Sequence, residues 1–497
     1  MSARSTLVKA ATAVPAPRRA DANGRSTPPV RHLAPTERAR RGLAARAALP
    51  PREQAHLVMP TNRPDPVSLL EQQALTRVPE LVPVRHGRMM ASPFTFFRGN
   101  ALGMATDLAA APVSGLAAQL CGDAHLSNFG VFGSPERRLL FDLNDFDETT
   151  VGPWEWDVKR LAVSIAVAGR DNGFSRKERR KCVLETVRRY RDATADFAAM
   201  RTLDVWYARA DIDELQETLS GKLNARRRKN WDQAKVKARG SGSLKAFGKL
   251  TEITDDGVRI KADPPLIVPA ADLLPDAGRE ELETQMKLLL NLYRRSLPHE
   301  LRALFDQFEF IDIARKVVGV GSVGTRCWIV LLRGRDDGDP LFLQVKEAGP
   351  SVLKGNVPSA LKQRSAPRNE GERVVVGQRL MQAASDIFLG WQRVEGIDGQ
   401  VRDFYVRQLR DMKFSLPVET MDLRGMTMYG QVCGWTLARA HARSGDRIAL
   451  ATYLNSDDAF PEAMAEYAEA YADQNERDYQ VFRDAIKSGR LACESGL

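Results

Sequence analysis

The sequence predicts an α+β protein in which mainly helical regions flank a group of antiparallel strands. Residues 175–300 carry the apolar spacing of helices, and the pattern changes at Phe310, where β-branched and apolar runs alternate with turns. A chain of 497 residues is long enough for two or three lobes with substantial cores. Together these observations place a sheet within a mostly helical chain.

Charge and cysteine content exclude several classes of protein. The net charge is +10, but residues 1–60 hold eleven Lys or Arg against three Asp or Glu, which leaves +2 for the rest. We predict a disordered basic tail over residues 1–60, with an organellar transit peptide as the alternative. The five scattered cysteines form no Cys-x-x-Cys pair, and no run approaches eighteen apolar residues. We therefore expect a reducing, cytoplasmic location and no membrane partner.

The first globular segment begins near Pro64. Residues 65–73 open a predicted helix, and residues 92–99 gather aromatic side chains around Arg98. A guanidinium in this position can bind phosphate or carboxylate, or it can neutralise a nearby acidic site. The sequence leaves both roles open.

Two segments that follow concentrate oxygen ligands. They contain Asp123 and Asn128 within residues 121–128, and Asp145 and Asp147 within residues 141–148. The apolar run 139–143 predicts a buried strand that delivers the second group at its carboxyl end. Such oxygens suit Mg²⁺ and are typical of phosphoryl transfer, in which an Asp accepts the substrate proton while an Asn and another Asp hold metal. The alternative is a solvated acidic loop.

A helix that is apolar on most faces is expected from Trp154 onward. Asp157 lies in its first turn, where a carboxylate can accept backbone N–H bonds, so we predict that it steadies residues 121–128. Further along, the basic cluster 226–229 is interpreted as a solvated helix face rather than a nucleic-acid patch. Only Trp231 supplies an aromatic side chain beside it.

The predicted strands enclose a glycine-rich turn. The run Gly319-Val-Gly-Ser-Val-Gly324 lies between predicted strands at 311–318 and 325–332, and a third strand at 341–347 carries Lys346. A dinucleotide-binding fingerprint would lead from the glycines into a helix, whereas strand, turn, strand and a later lysine is the protein-kinase arrangement. The alternative is a plain hairpin turn.

The rest of the chain alternates between helices and two more strands. A helix at 372–384 supplies Glu370 or Glu372 as a partner for Lys346. The remaining predicted elements are strands at 391–395 and 403–409 and helices at 421–442 and 459–486. Gly445 is the predicted stop of the first of these two helices.

These motifs resemble those of a known group of enzymes. Residues 122–128 look like the catalytic loop of aminoglycoside-phosphotransferase-like kinases, in which a metal-binding Asn follows an Asp by five positions. Asp145-Phe-Asp147 looks like the metal-binding segment that follows, and residues 152–157 are similar to the helix start that supports the loop. From about residue 60 onward the chain resembles the bacterial domain-of-unknown-function 2252 family, most specifically at 121–128, 141–160 and 377–386.

The order of these motifs differs from that of ordinary kinases. There the glycine loop and lysine precede the catalytic loop, whereas here they follow it by about two hundred residues. The helix ending at Ala442 is similar to the one that normally runs into that loop. The resemblance therefore implies a circularly permuted, protein-kinase-like two-lobed fold. Its parts are the first section of a helical catalytic lobe at 61–304, a small antiparallel-sheet nucleotide lobe at 305–412, and a helical segment completing the catalytic lobe at 413–497.

The resemblance implies an ATP- and Mg²⁺-dependent phosphotransferase. Asp123 would deprotonate the acceptor hydroxyl, and His125 would support the loop by hydrogen bonding. Lys346 would bind the α- and β-phosphates, oriented by Glu372, with Glu370 as its substitute. The implied nucleotide-binding set is Gly319, Gly321, Ser322, Gly324, Lys346 and Glu372, and the implied metal-binding set is Asn128, Asp145 and Asp147.

Two departures from the kinase pattern leave other functions open. No histidine precedes Gly122, and Asp147 stands where many kinases have glycine. A nucleotide-binding pseudokinase or a nucleotidyl (AMP) transferase is therefore the first alternative. A basic nucleic-acid-binding protein is the second, but it leaves the acidic centre unexplained, just as a metal-dependent hydrolase leaves the glycine loop unexplained. The expected partners are ATP and an unidentified small-molecule or protein acceptor, rather than nucleic acid.

Overall fold

The structure is a computed structural model, and it describes residues 32–219, 225–255, 257–273, 279–361, 367–395, 400–409 and 412–496. These residues form eighteen α-helices and thirteen β-strands, and the strands pair antiparallel throughout. A mixed helical and antiparallel architecture of this kind confirms the predicted α+β class.

Helices form most of the chain before and after the segments that build the largest sheet. In order they are α1 (Pro35–Ala48), α2 (Pro66–Ala74), α3 (Val82–Met89), α4 (Pro93–Gly99), α5 (Ala101–Ala109), α6 (Trp154–Asp171), α7 (Arg176–Ala199), α8 (Thr202–Tyr207), α9 (Ile212–Leu219), α10 (Ala225–Arg239), α11 (Ser243–Leu250), α12 (Ala270–Leu273), α13 (Arg279–Arg294), α14 (His299–Phe305), α15 (Glu370–Met381), α16 (Leu423–Ser444), α17 (Arg447–Leu454) and α18 (Ala459–Lys487). Within the described segments, no helix is both long and apolar enough to cross a membrane.

The strands form four sheets. In order they are β1 (Ala117–Leu120), β2 (Phe129–Gly133), β3 (Leu139–Leu143), β4 (Thr150–Pro153), β5 (Ala210–Asp211), β6 (Thr251–Thr254), β7 (Gly257–Ile260), β8 (Ile267–Pro269), β9 (Glu309–Lys316), β10 (Cys327–Arg333), β11 (Pro340–Glu347), β12 (Gly390–Glu395) and β13 (Val401–Gln408). The largest sheet has the order β12-β13-β11-β10-β9-β8, and the others are β2-β3-β5, β1-β4 and β6-β7. The five strands predicted from 311 to 409 correspond to β9–β13, with every end within two residues of its predicted position.

The six-stranded sheet is apolar on both faces because helices cover both. Ile329 and Phe342 face a cluster that contains Leu250 of α11, whereas Val330 and Leu343 pack on the opposite side among residues of α13 and α14. A sheet that is buried on both faces has near-continuous apolar strands, which is the pattern found in its sequence. The sequence assigned residues 61–304 to the helical lobe, but α11, α13, α14 and β8 belong to this sheet through their packing.

The main helical core is built around α6, α7, α16 and α18. Nearly all of α6 is buried, as its apolar sequence predicted, and Trp154 at its start stacks on Tyr190 of α7 with ring centroids 5.9 Å apart. Helix α16 approaches α7 closely at Gly434, where an added Cβ would lie 2.4 Å from the carbonyl oxygen of Thr186. Only glycine permits this separation, so Gly434 allows α16 to pack closely against α7.

The predicted disordered tail over residues 1–60 is wrong for its second half. Residues 35–48 form α1, which packs on α17, and residues 1–31 lie outside the described part of the chain. An added Cβ at Gly42 would lie 2.3 Å from the carbonyl oxygen of Ala449, so the contact is made by backbone rather than by large apolar side chains. A helix that docks through small residues carries little hydrophobic signal in its sequence.

Candidate functional site

The β2–β3 hairpin places the predicted oxygen ligands side by side. Phe129 pairs with Leu143 in register, and the backbone N–H of Asn144 donates to the carbonyl of Asn128 at 2.8 Å. All five residues of β3 are buried, as predicted, and Asp145 lies two residues beyond its carboxyl end. The hairpin therefore brings the two acidic segments together.

Asp157 anchors the loop formed by residues 121–128. Its carboxylate accepts the backbone N–H groups of Cys121 at 2.8 Å and Gly122 at 3.1 Å, which confirms the predicted supporting role. Gly122 has φ +88°, and an added Cβ there would lie 2.2 Å from the carbonyl oxygen of Glu148. His441 of α16 also approaches Asp157, with Nε2 at 3.4 Å, so α16 supports the same loop.

Asp123 projects from this loop beside the side chains of Arg160 and His125. Arg160 Nε donates to Asp123 Oδ1 at 2.8 Å, and His125 Nε2 lies 3.6 Å from Oδ2. Burial raises the pKa of Asp123 above its ordinary value, while Arg160 and Arg98 oppose the rise. Burial also lowers the pKa of His125 well below its ordinary value, so the imidazole is neutral near pH 7. Asn128 Nδ2 donates to the Asp123 carbonyl at 2.7 Å, which leaves the Asn128 amide oxygen as the group available to a cation.

Lys346 joins the sheet to the hairpin. Its Nζ lies 2.5 Å from Asp147 Oδ2 and 3.7 Å from Asp145 Oδ2. The hydroxyls of Tyr405 and Ser322 donate to Asp147 at 2.7 and 3.2 Å. Burial alone would raise the pKa of Asp147, but Lys346 and Tyr405 outweigh it and lower the pKa to about 2. The two aspartates also hold the pKa of Lys346 well above its ordinary value against the effect of burial.

The predicted pairing of Lys346 with Glu372 or Glu370 is wrong. Glu372 is bound by Arg368 at 2.8 Å, and Glu370 is bound by Lys354 at 2.8 Å and by Arg373. Both glutamates lie in the first turn of α15, where they pair with residues of the same helix and the loop before it. Asp147, rather than a glutamate of α15, lies beside Lys346.

Helix α15 reaches the site through Arg373 instead. Its guanidinium donates to three backbone carbonyls, those of Thr149 at 2.6 Å, Asp147 at 2.8 Å and Gly349 at 2.8 Å. The sequence reasoning missed Arg373 and Tyr405. The sequence carried a signal for Arg373, which adjoins Val374-Val375 on the buried face of α15. It carried none for Tyr405, which meets Lys346 through the register of β11 and β13.

The glycine loop between β9 and β10 lies against the acidic site. Gly319 and Gly324 have φ values of +66° and +88°, which favour glycine at both positions. Gly321 lies close to α4, because an added Cβ would be 3.3 Å from the Arg98 carbonyl oxygen. Arg88 donates to the Gly319 carbonyl at 2.6 Å and so ties the loop to α3. The loop therefore adopts a fixed path between the sheet and the amino-terminal helices.

Arg98 lies at the end of α4, close to Asp123. Its Nη1 is 3.9 Å from Glu419 Oε1, a distance too long for a hydrogen bond. Burial lowers the pKa of Arg98, and Glu419 and Asp123 oppose the change. Arg98 therefore contributes positive charge beside Asp123, in agreement with the neutralising role considered for it.

Two further cations face Asp145 from β13 and the segment after it. Arg407 donates to the Asn144 carbonyl at 2.9 Å and to Gln344 Oε1 at 3.1 Å. Burial, together with Arg407, lowers the pKa of Lys413 to about 7, and Asp145 opposes the change. With Lys346, these residues surround the carboxylates with positive charge, an environment suited to an anionic ligand.

The predicted metal ligands differ in their availability. Asp147 is occupied by Lys346, Tyr405 and Ser322, whereas Asp145 and the Asn128 amide oxygen form a small set of hard oxygen donors. Within the described segments, no group of three or more His, Cys, Asp or Glu side chains could hold a metal ion. Mg²⁺ is commonly held by one or two carboxylates together with substrate phosphates, so Asp145 and Asn128 fit it and Asp147 fits less well.

The fold and the site define an α+β protein with antiparallel sheets and a lysine–aspartate centre. Residues 77–485 match the family described as "Uncharacterized protein conserved in bacteria (DUF2252)", and the chain belongs to this family. The predicted membership of the domain-of-unknown-function 2252 family is thereby confirmed. Comparison with curated proteins and with solved structures gives no match.

Proposed function

We propose that the protein is an ATP- and Mg²⁺-dependent phosphotransferase with a circularly permuted, kinase-like two-lobed fold, acting on an unidentified acceptor. The contact of Lys346 with Asp147 and Asp145 carries this proposal. It joins a lysine on the second strand after a glycine loop to a carboxylate hairpin about two hundred residues earlier in the chain.

The order of parts in the largest sheet supports a nucleotide-binding role. The glycine loop connects β9 to β10, Lys346 lies on β11, and α15 follows before β12 and β13. A glycine-rich loop over the phosphates, a lysine on the third strand and a helix after it form the nucleotide site of protein kinases. The cations Lys346, Arg407 and Lys413 would favour a triphosphate at this position.

The end of α16 supports the permuted order. Ser444 Oγ accepts the backbone N–H of Gln119 at 3.3 Å, and an added Cβ at Gly445 would lie 3.0 Å from the Ala117 carbonyl oxygen. Helix α16 therefore ends where β1 begins, and β1 leads into the loop that contains Asp123. In an unpermuted chain α16 would connect directly to β1. The end of α16 and the start of β1 could be joined with little rearrangement.

Each residue then has a role in transfer. Asp123 would accept the proton of the acceptor hydroxyl, and its raised pKa suits a general base. Lys346 would bind phosphate oxygens, and the glycine loop would allow their close approach. Asp145 and Asn128 would hold Mg²⁺, which when bound neutralises charge on the phosphates.

Asp147 favours one alternative within the same site. Asp147 stands where many kinases have glycine. It forms an ion pair with Lys346, which would otherwise be free to bind phosphate. A nucleotide-binding pseudokinase or a nucleotidyl (AMP) transferase is therefore the second candidate.

Parallel assays with γ-labelled and α-labelled ATP separate the candidates. We expect release or transfer of γ-label in the presence of Mg²⁺, and its reduction by orders of magnitude in Asp145→Asn and in Lys346→Met. Transfer of α-label would indicate an AMP transferase, and binding without turnover would indicate a pseudokinase. Turnover that survives both substitutions would overturn the assignment of the site.

A further inference from the structure

A basic cavity lies on the side of α15 that faces away from Asp147. It has a volume of about 560 Å³ and is bounded by the end of α13, by α14, by the start of α15 and by β12. Among the described residues, five arginines line it, with Trp391 and no Asp or Glu: Arg295, Arg302, Arg368, Arg379 and Arg393. We infer that this cavity binds a small polyanion with two or more phosphate or carboxylate groups.

Most of this positive charge has no carboxylate partner in the part of the chain that the structure describes. Within the described segments, carboxylates pair with only two of the five arginines, Arg368 with Glu372 and Arg393 with Asp403. Arg302 and Arg379 donate instead to backbone carbonyls. Guanidinium groups that meet only carbonyl dipoles keep their full charge, and several of them around one cavity select a multivalent anion.

The cavity has ordered walls and the size of a small-molecule site. Trp391 lies on the edge strand β12, and its backbone N–H donates to Ser296 Oγ at 2.9 Å, which ties the strand to the loop after α13. The guanidinium of Arg368 lies 5.5 Å from the centre of the Trp391 ring. A volume of 300 to 1,000 Å³ is usual for small-molecule sites, so a phosphorylated metabolite of ordinary size would fit.

Helix α15 connects this cavity with the site already described. Arg368 precedes the helix and Arg379 lies near its end, whereas Arg373 between them holds the carbonyls of Asp147, Thr149 and Gly349. An anion that bridges Arg368 and Arg379 would fix the position of α15 and, through Arg373, the segment that contains Asp147. This regulatory consequence rests on the proposed function, whereas binding of the anion does not.

Titration of the full chain with inorganic tripolyphosphate, without added metal, tests the inference. We expect saturable binding that weakens at least tenfold in Arg302→Gln/Arg379→Gln and in Arg295→Glu, whose exposed position leaves folding intact. Folded Lys346→Met should retain this binding, because Lys346 lies outside the cavity; any tripolyphosphate bound at the ATP site is a separate event that this variant would weaken. Arg333→Gln, which changes an arginine of β10 outside the cavity, is the matched control.

The outcomes separate this inference from the proposed function. Binding that is lost in the cavity variants and retained in Lys346→Met supports an anion site in the cavity. This conclusion does not depend on the result of the ATP-turnover assay. Equal affinity in wild type and both cavity variants, or loss of binding in Lys346→Met alone, overturns it. Slower hydrogen exchange of residues 145–149 on binding would support the coupling through Arg373, and unchanged exchange there would refute that coupling.

Discussion

The ammonium group of Lys346 and the carboxylate of Asp147 form an ion pair between residues that are 199 positions apart in the chain. The lysine side chain is only 3% exposed, and Tyr405 and Ser322 complete the hydrogen bonding of the aspartate. This contact joins the six-stranded sheet to the segment that follows the β2–β3 hairpin, as does the hydrogen bond from Arg407 to the Asn144 carbonyl.

This pair should show strong thermodynamic coupling. Lys346→Met leaves the partly exposed Asp147 without its main partner, and we expect this to cost about 1–3 kcal/mol of unfolding free energy. Asp147→Asn/Lys346→Met removes both charges, so we expect it to be at least about 1 kcal/mol more stable than the sum of the single changes indicates. Urea unfolding of the four proteins measures the difference. Additive effects would show that the contact contributes little.

The choice of partner for Lys346 can be tested by activity. Because Asp147 rather than Glu372 contacts the lysine, we expect Asp147→Asn to lower kcat/KM for ATP at least about 100-fold. Glu372→Gln should change it by less than about threefold, since its partner is Arg368. A larger loss in Glu372→Gln would mean that the helix supplies the partner during the reaction.

Glu148 should make stability depend on pH. Burial raises its pKa to about 7 in the folded protein, above its ordinary value of 4.5, so its contribution is full below pH 4.5 and is lost as the pH rises through 7. Glu148→Gln keeps an acceptor for the Val352 N–H but cannot ionise. We expect the variant to gain roughly 1–3 kcal/mol relative to wild type between pH 5 and pH 8, measured by chemical unfolding. A constant difference across this range would contradict the expectation.

Lys413 should make nucleotide affinity depend on pH. Its pKa of about 7 means that the ammonium charge near Asp145 disappears as the pH rises from 6 to 8. We therefore expect ATP affinity to fall several-fold over this range in wild type and to be flat in Lys413→Met. Lys413→Arg, which stays charged, should bind equally at both pH values. Calorimetry at pH 6 and 8 gives the comparison, and an unchanged slope in Lys413→Met would exclude this role.

Short-range patterns in the sequence were sufficient to predict the strands, the hairpin and the support of the loop. Alternating and continuous apolar runs located β9–β13 and β3, and the position of Asp157 in the first turn of α6 indicated its backbone contacts. These features depend on residues close together in the chain, or on a single buried face, and both leave a periodic signal.

Partner choice between distant elements could not be predicted in the same way. The spacing after Lys346 suggested a glutamate on the next helix, but the rotation of α15 directs Arg373 to the site and leaves Glu372 with Arg368. The docking of α1 on α17 could not be predicted either, because Gly42 makes this contact through its backbone. Close backbone contacts and helix rotation are set by tertiary packing, which one sequence does not reveal.

Binding of a non-hydrolysable ATP analogue with Mg²⁺, measured by titration calorimetry, tests the central claim most directly. We expect one site per chain that requires Mg²⁺, with affinity reduced at least about 30-fold in Lys346→Met and in Asp145→Asn and unchanged in Glu372→Gln. Absence of binding to the folded wild type, or undiminished binding in both site variants, would contradict the account.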